Sequence, residues 1–187
     1  MPADDAVAAE SVGADVRASQ RGDRRAFERL YARYGRMVHG IVIARAPRTE
    51  TEDLVQEVFI QAWTRIGTLR EPDAFGGWLA QLARHRSTDA LRRGRAPEPL
   101  DPELAAPDSH HAEAIRVLAL IRALPEAYRE TLALRLIEGL TGPEIAAMTG
   151  MQPGSVRVNL HRGMTLLRER LGVDGAQRMP GAAGGSS

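Results

Sequence analysis

The chain has 187 residues, 43% apolar side chains and a formal net charge of +1, which allows one or two domains with modest cores. It has no cysteine, which excludes disulfides, thiolate metal sites and a thiol switch of its own. No apolar run is long enough to cross a bilayer, and the acidic start "MPADDAVAAESVGADV" lacks the basic flank and apolar block of a secretion signal, so the expected location is the cytoplasm.

Every one of the 25 basic residues is arginine, and they are concentrated locally. "RHRSTDALRRGR" (84–95) holds five arginines against one aspartate, and "RVNLHRGMTLLRER" (157–170) holds four against one glutamate. Such patches in a near-neutral chain fit localised contact with phosphates. Ordinary solvated helix faces fit them equally well.

Strand signals are nearly absent and helical periodicity runs throughout, which predicts an all-α fold. Residues 1–14 are expected to be disordered. From Phe27, the positions Leu30, Tyr31, Tyr34, Val38, Ile41 and Val42 mark one face of a long helix. Thr49 and Glu52 form a capping-box pattern, opening a helix with Leu54, Val58, Phe59, Ala62, Trp63 and Ile66 on its inner side. "GTLREPDAFGG" reads as a loop, with Gly76 and Gly77 in a mobile approach to the next helix, because each would cost about 1 kcal/mol inside one. Trp78, Leu79, Leu82, Ala83 and Ala90 then mark a helix that ends in the first basic run.

"GRAPEPLDPELAAPDS" carries four prolines and four acids; proline removes donors and disfavours helix in its predecessor, so 96–111 reads as a flexible acidic linker. Helical pattern resumes at Glu113–Leu124, breaks at Pro125, and continues to a C-terminal glycine, Gly139. The Gly/Ala-rich tail 172–187 is expected to be disordered. Two helical domains result, 15–95 and 112–171.

"TGPEIAAMTGMQPGSVRVNLHRG" (141–163) reads as a helix-turn-helix. Thr141 and Glu144 form a capping box, Gly150 supplies the turn, and Pro153 opens the second helix. Val156, Leu160, Met164, Leu167 and Leu171 hold its core stripe, leaving Ser155, Arg157, Asn159 and Arg162 to point outward. A recognition helix meets bases with its N-terminal part, and arginine suits guanine. A plain helical hairpin with surface arginines is the other reading of this segment.

Together with "RGDRRAFERLYARYGRMVHG", "TEDLVQEVFIQAWTRI" and "FGGWLAQLARHRSTDALRR" upstream, the stretch from Leu124 to Leu171 resembles bacterial RNA polymerase sigma factors of the sigma-70 family. The first three segments resemble region 2 and the last resembles region 4. The absence of regions between them is similar to the extracytoplasmic-function (ECF) group. The resemblance implies a factor that binds core polymerase, recognises −10 and −35 promoter elements and assists melting. It implies docking of Asp53, Gln56, Glu57 and Gln61 on the clamp coiled coil of the largest polymerase subunit, with a further contact at the flap region. It implies −10 contacts by Arg84, His85, Arg92 and Arg93, with His85 where the family commonly has asparagine. For −35 DNA it implies Ser155, Arg157, Asn159 and Arg162; Asn159 and Gly163 stand where arginine and alanine are usual. Leu132, Leu136 and Ile137 are read as core.

The resemblance also implies an anti-sigma partner, which can hold the chain near the membrane without inserting it. The linker acids Glu98, Asp101, Glu103 and Asp108 either mimic a phosphate chain or form a plain tether. No catalytic residue, cofactor or metal is expected. There is no phosphate-cradling glycine loop followed by lysine, and His110 and His111 are adjacent, poorly placed to share one ion. The alternative function is a helix-turn-helix repressor or activator that binds duplex DNA without polymerase.

Overall fold

The computed structural model describes residues 3–92 and 110–177. Among these are eight α-helices and three short 3₁₀ turns. The helices are α1 (Ala3–Gln20), α2 (Arg24–Ile43), α3 (Thr51–Arg65), α4 (Phe75–Arg92), α5 (His110–Arg122), α6 (Glu126–Leu136), α7 (Gly142–Thr149) and α8 (Pro153–Gln177). Arg93, the linker acids and residues 178–187 lie outside the described residues.

In the first domain α2 is the central element. Asp23 caps it by accepting from the amides of Arg25 and Ala26. Its stripe of Ala26, Leu30, Tyr34, Met37, Val38 and Ile41 is buried, packing on α3 and α4. The second domain stacks α8 on α6 and α7, with Ile121, Leu124, Leu132 and Leu167 in a separate apolar cluster.

Several expectations need correction. A helix starts at Ala3, inside the stretch expected to be disordered, and Val12 and Val16 are buried against the first-domain core. Burying each contributes about 1.5–3 kcal/mol, which outweighs the acidic composition. At the other end, α8 continues to Gln177, past the expected start of the tail at 172. His110 and His111 open α5 rather than closing the linker. The Thr49–Glu52 capping box does not form. A 3₁₀ turn over Arg48–Glu50 already carries Thr49 into the helical path, and Glu50 precedes α3 with no side-chain cap. Leu136 and Ile137 are 41% and 37% exposed, not core, because α6 ends at Leu136 and the chain turns through Gly139 at φ +68°. Gly76 and Gly77 lie inside α4.

The two domains share one core. Leu134, Leu140, Ile145, Ala146 and Val156 join the cluster built around α2, α3 and α4. Gly76 is a point of close backbone approach. A Cβ there would lie 2.4 Å from the Met148 carbonyl oxygen, and one on Gly77 would meet the Gly150 Cα at 3.6 Å. At Gly76 glycine is needed because two backbones meet, whereas a Cβ at Gly77 would make ordinary contact. At Gly40 a Cβ would fall 2.7 Å from Leu134 Cδ2. Arg122 donates to the carbonyls of Ile43 and Ala46 at 2.9 and 2.6 Å, satisfying backbone acceptors left where α2 ends.

A pH-dependent pair also crosses the boundary. His39 Nδ1 lies 2.6 Å from Glu138 Oε1. The hydrogen bond to Glu138 raises the His39 pKa; burial opposes this, and the charges of Glu138 and Glu52 add to the rise. Arg36 reaches the same Glu138 carboxylate at 3.9 Å.

Two outcomes follow from this packing. Gly76→Ala is expected to destabilise the fold by about 1–3 kcal/mol through overpacking. Gly35→Ala, in α2 with nothing within 4 Å of the added Cβ, should stabilise by about 0.5–1 kcal/mol; denaturant melts read both. The His39 contribution should be complete below its unfolded pKa of about 6.5 and lost as pH rises through the raised folded value. Unfolding free energies measured from pH 5.5 to 9 should therefore fall with pH in the native chain and fall less in His39→Gln.

Candidate functional site

Three polar faces stand out, on α3, between α3 and α4, and on α8. On α3 the buried side is Leu54, Val55, Val58, Phe59 and Ala62. Helical spacing therefore turns Asp53, Gln56 and Glu57 outward, Asp53 and Gln56 exposed and Glu57 partly. They surround a shallow hollow of about 380 Å³ together with Glu50 and Ile60. Ile60 is 66% exposed and was missed in the sequence reading. Its signal was available, because it falls off the apolar stripe, where an isoleucine has nothing of its own chain to cover. Gln61, one turn beyond Glu57, is half-buried at the edge of this face.

Gln61 lines a second concavity of about 450 Å³ between α3 and α4, with Arg65, His85, Arg86, Asp89 and Arg92. His85 and Arg92 are exposed there. Arg84, grouped with His85 in the sequence, points elsewhere, since adjacent helical residues diverge by about 100°. Its guanidinium makes two hydrogen bonds to Glu130 of α6, Nε to Oε2 at 2.9 Å and Nη2 to Oε1 at 2.7 Å. Arg45, at the end of α2, donates to Glu130 Oε2 at 2.8 Å. Burial pushes the Glu130 carboxyl toward neutrality, but the hydrogen bonds and charges of Arg84 and Arg45 outweigh it and hold the pKa below the usual range. Arg84 thus joins the domain boundary, while His85 and Arg92 remain open to solvent.

The third face is built by the turn between α7 and α8. The expected capping box is present: the Thr141 amide donates to Glu144 Oε2 at 2.7 Å, and the Glu144 amide donates to Thr141 Oγ1 at 3.4 Å. Bonds from the Thr141 hydroxyl and amide hold the Glu144 carboxyl below its ordinary range. Gly150 closes α7 at φ +71°, and α8 starts at Pro153. Val156 and Leu167 are buried, with Leu160, Met164 and Leu171 packed beside them. Gly163 lets α8 approach α6, where a Cβ would meet Leu132 Cδ1 at 2.9 Å. Ser155, Arg157 and Arg162 are exposed and Asn159 half-buried. Between them Val158 is 41% exposed, an apolar tip on a polar stripe and of the kind that contacts a thymine methyl.

Among the described residues no helix is long and apolar enough to cross a membrane.

Comparison with known proteins agrees with this layout. Residues 30–96 match the family model for Sigma-70 region 2, and residues 114–167 match that for Sigma-70, region 4. The chain is 34% identical over 161 residues to RNA polymerase sigma factor CarQ of Myxococcus xanthus, covering 81% of this chain and 92% of that protein. It is 32% identical over 162 residues to the ECF RNA polymerase sigma-E factor of Escherichia coli K12, covering 76% and 85%. Among solved structures, CnrH in complex with the cytosolic domain of CnrY shares the fold, with a TM-score of 0.65 and 24% identity over 88% of this chain and 99% of that one. With both regions present in order on one helical scaffold, the chain belongs to the sigma-70 family of RNA polymerase sigma factors, as a member of its ECF group, and directs polymerase to specific promoters.

Proposed function

We propose that the work of this sigma factor is divided among the three faces. The acidic and amide face of Asp53, Gln56, Glu57 and Ile60 docks on the clamp coiled coil of core polymerase. His85, Arg92 and Arg93 engage the −10 element. Ser155, Arg157, Val158, Asn159 and Arg162 engage the −35 element. The supporting observation is charge segregation: the exposed α3 face carries carboxylates, while the cleft beside α4 and the α8 face carry arginines. Carboxylates repel DNA and suit a protein partner, whereas arginines suit phosphates and guanine. Arg84 can reach DNA only after Glu130 releases it, so engagement of the −10 element by this arginine is coupled to parting of the domains.

We also infer an anti-sigma partner. CnrH was solved with the cytosolic domain of CnrY, and a similar partner would hold the two domains of this chain together, tethering it near a membrane if that partner is itself anchored. The flap region of polymerase is the expected seat for the second domain, and the exposed Leu136 and Ile137 offer it apolar contact.

Runoff transcription with bacterial core polymerase on pooled promoter fragments tests the whole reading. Discrete transcripts that require the chain are expected; tight duplex binding without polymerase and without transcripts would point to a repressor or activator. Asp53→Arg combined with Gln56→Ala should weaken holoenzyme assembly while leaving the thermal melt unchanged. Arg157→Ala should reduce −35-dependent promoter binding by about 1–3 kcal/mol if it reads a base. A uniform loss across sequences with a shallower salt slope would make Arg157 a phosphate contact.

A further inference from the structure

One charge pair at the domain boundary is built unlike the others. Arg84 and Arg45 meet Glu130 as guanidinium on carboxylate, and arginine stays charged at every pH a cell reaches. His39 meets Glu138 instead, Nδ1 to Oε1 at 2.6 Å. Histidine is the side chain that ordinarily changes charge between about pH 5 and 8. Among the described pairs that join the two domains, this one therefore carries the response to pH.

Its surroundings give that response a direction. Glu138 is 8% exposed and is seated against α2, where a Cβ on Gly40 would fall 2.9 Å from its Cγ. Glu52 of α3 stands 3.8 Å from the other ring nitrogen, Nε2. On the same helix as His39, Arg36 reaches Glu138 at 3.9 Å and also acts on Glu144 of α7. Among the described residues Glu138 and Glu52 are the charges that act on the ring; α1, α4 and α7 add none. A protonated ring thus lies between two carboxylates. A neutral ring still donates one hydrogen bond but no charge, which leaves the buried Glu138 with Arg36 at 3.9 Å and the like charge of Glu52 beyond. A buried ion that loses its close partner is costly, and parting the domains returns it to water.

The hydrogen bond to Glu138 raises the His39 pKa against the opposing effect of burial. The closed arrangement therefore holds the proton more tightly than an open one. By linkage, closure is favoured below the ordinary histidine value of about 6.5 and weakens as pH rises through the raised value.

We propose that His39 and Glu138 form a pH-sensitive latch between the two domains, closed while the imidazole is protonated and loosened at alkaline pH. Loosening frees Arg84 and the surfaces that the boundary covers, so the chain becomes more available to core polymerase as pH rises. Apparent affinity scales with the competent fraction, so a minor open state suffices. That consequence rests on the sigma reading above; the latch itself does not.

The full chain has no cysteine, so a single introduced thiol reports its own site. Ala146→Cys places it on α7, 7% exposed in the shared core, and Ala62→Cys places it on α3, fully buried. Reaction with a disulfide reagent is followed from about pH 6 to 9 and divided by that of an unstructured peptide thiol, which removes the thiol's own titration. The Ala146→Cys thiol should react faster than Ala62→Cys throughout, and its corrected rate should rise severalfold with pH. Adding His39→Arg, charged throughout, should hold that rate at its low-pH value; adding His39→Gln should make it independent of pH. Equal corrected rates at the two sites would overturn the latch, because the boundary would then part only when the whole chain unfolds. So would a flat profile in the native background, or a rise that survives both His39 variants. Holoenzyme assembly tests the consequence. Between the same pH limits the native chain should gain severalfold over His39→Arg in apparent affinity for core polymerase, and a constant ratio would overturn the gating. Absence of assembly by the native chain at any pH would instead sink the sigma reading.

Discussion

The arrangement depends on one carboxylate. Glu130, 5% exposed, sits between Arg84 and Arg45, and its charge survives burial only because two guanidinium groups point their donors at it. An ion withdrawn from water is costly unless its partners are well placed, and removing one partner of such a set costs more than the set gains over an apolar replacement. Its contribution is therefore to fix relative position more than to add stability. Arg45 comes from the turn just after α2, Arg84 from α4 and Glu130 from α6, so the three charges meet only when the two domains are in one register. Leucines and alanines along the same seam would tolerate a small slide; a bidentate arginine does not.

That register explains why the outward faces look as they do. Domain packing covers the inner sides of α2, α4, α6 and α7 and leaves the outer sides of α3 and α8 exposed. The fourth helix has two chemically different sides within three residues, since Arg84 answers to Glu130 while His85 and Arg86 turn to the cleft. A basic run in sequence is therefore not a basic patch in space. Any event that opens the domains frees an arginine on the helix that also carries the exposed His85 and Arg92.

The sequence made the local structure readable where the cause was itself local. Spacings of three and four apolar residues identified α2, α3 and α8, and the turn from Thr141 through Gly150 to Pro153 was legible to the level of its cap. Readings failed where the deciding contact came from elsewhere in the fold. Gly76 and Gly77 looked like helix breakers because propensity assigns glycine a cost, yet the Met148 backbone needs the space that Gly76 leaves. Leu136 and Ile137 looked like core because they are apolar, but nothing in the fold covers them fully. Arg84 looked like its neighbours because Glu130 lies 46 residues away. That Gln61 lines the α3–α4 concavity required knowing which side of α3 faces α4.

The first helix carries a last consequence. Gln20, at its end, donates through Nε2 to the carbonyls of Ile66 and Leu69 at 3.0 and 2.8 Å, while Val12 and Val16 seal the adjoining core. The turn after α3 is thus fastened by a segment that precedes residue 30, where the family match begins. The folding unit is longer at its N-terminus than the stretch that matches the region 2 family model. Residues outside the family match thus help set the geometry of the turn that follows α3.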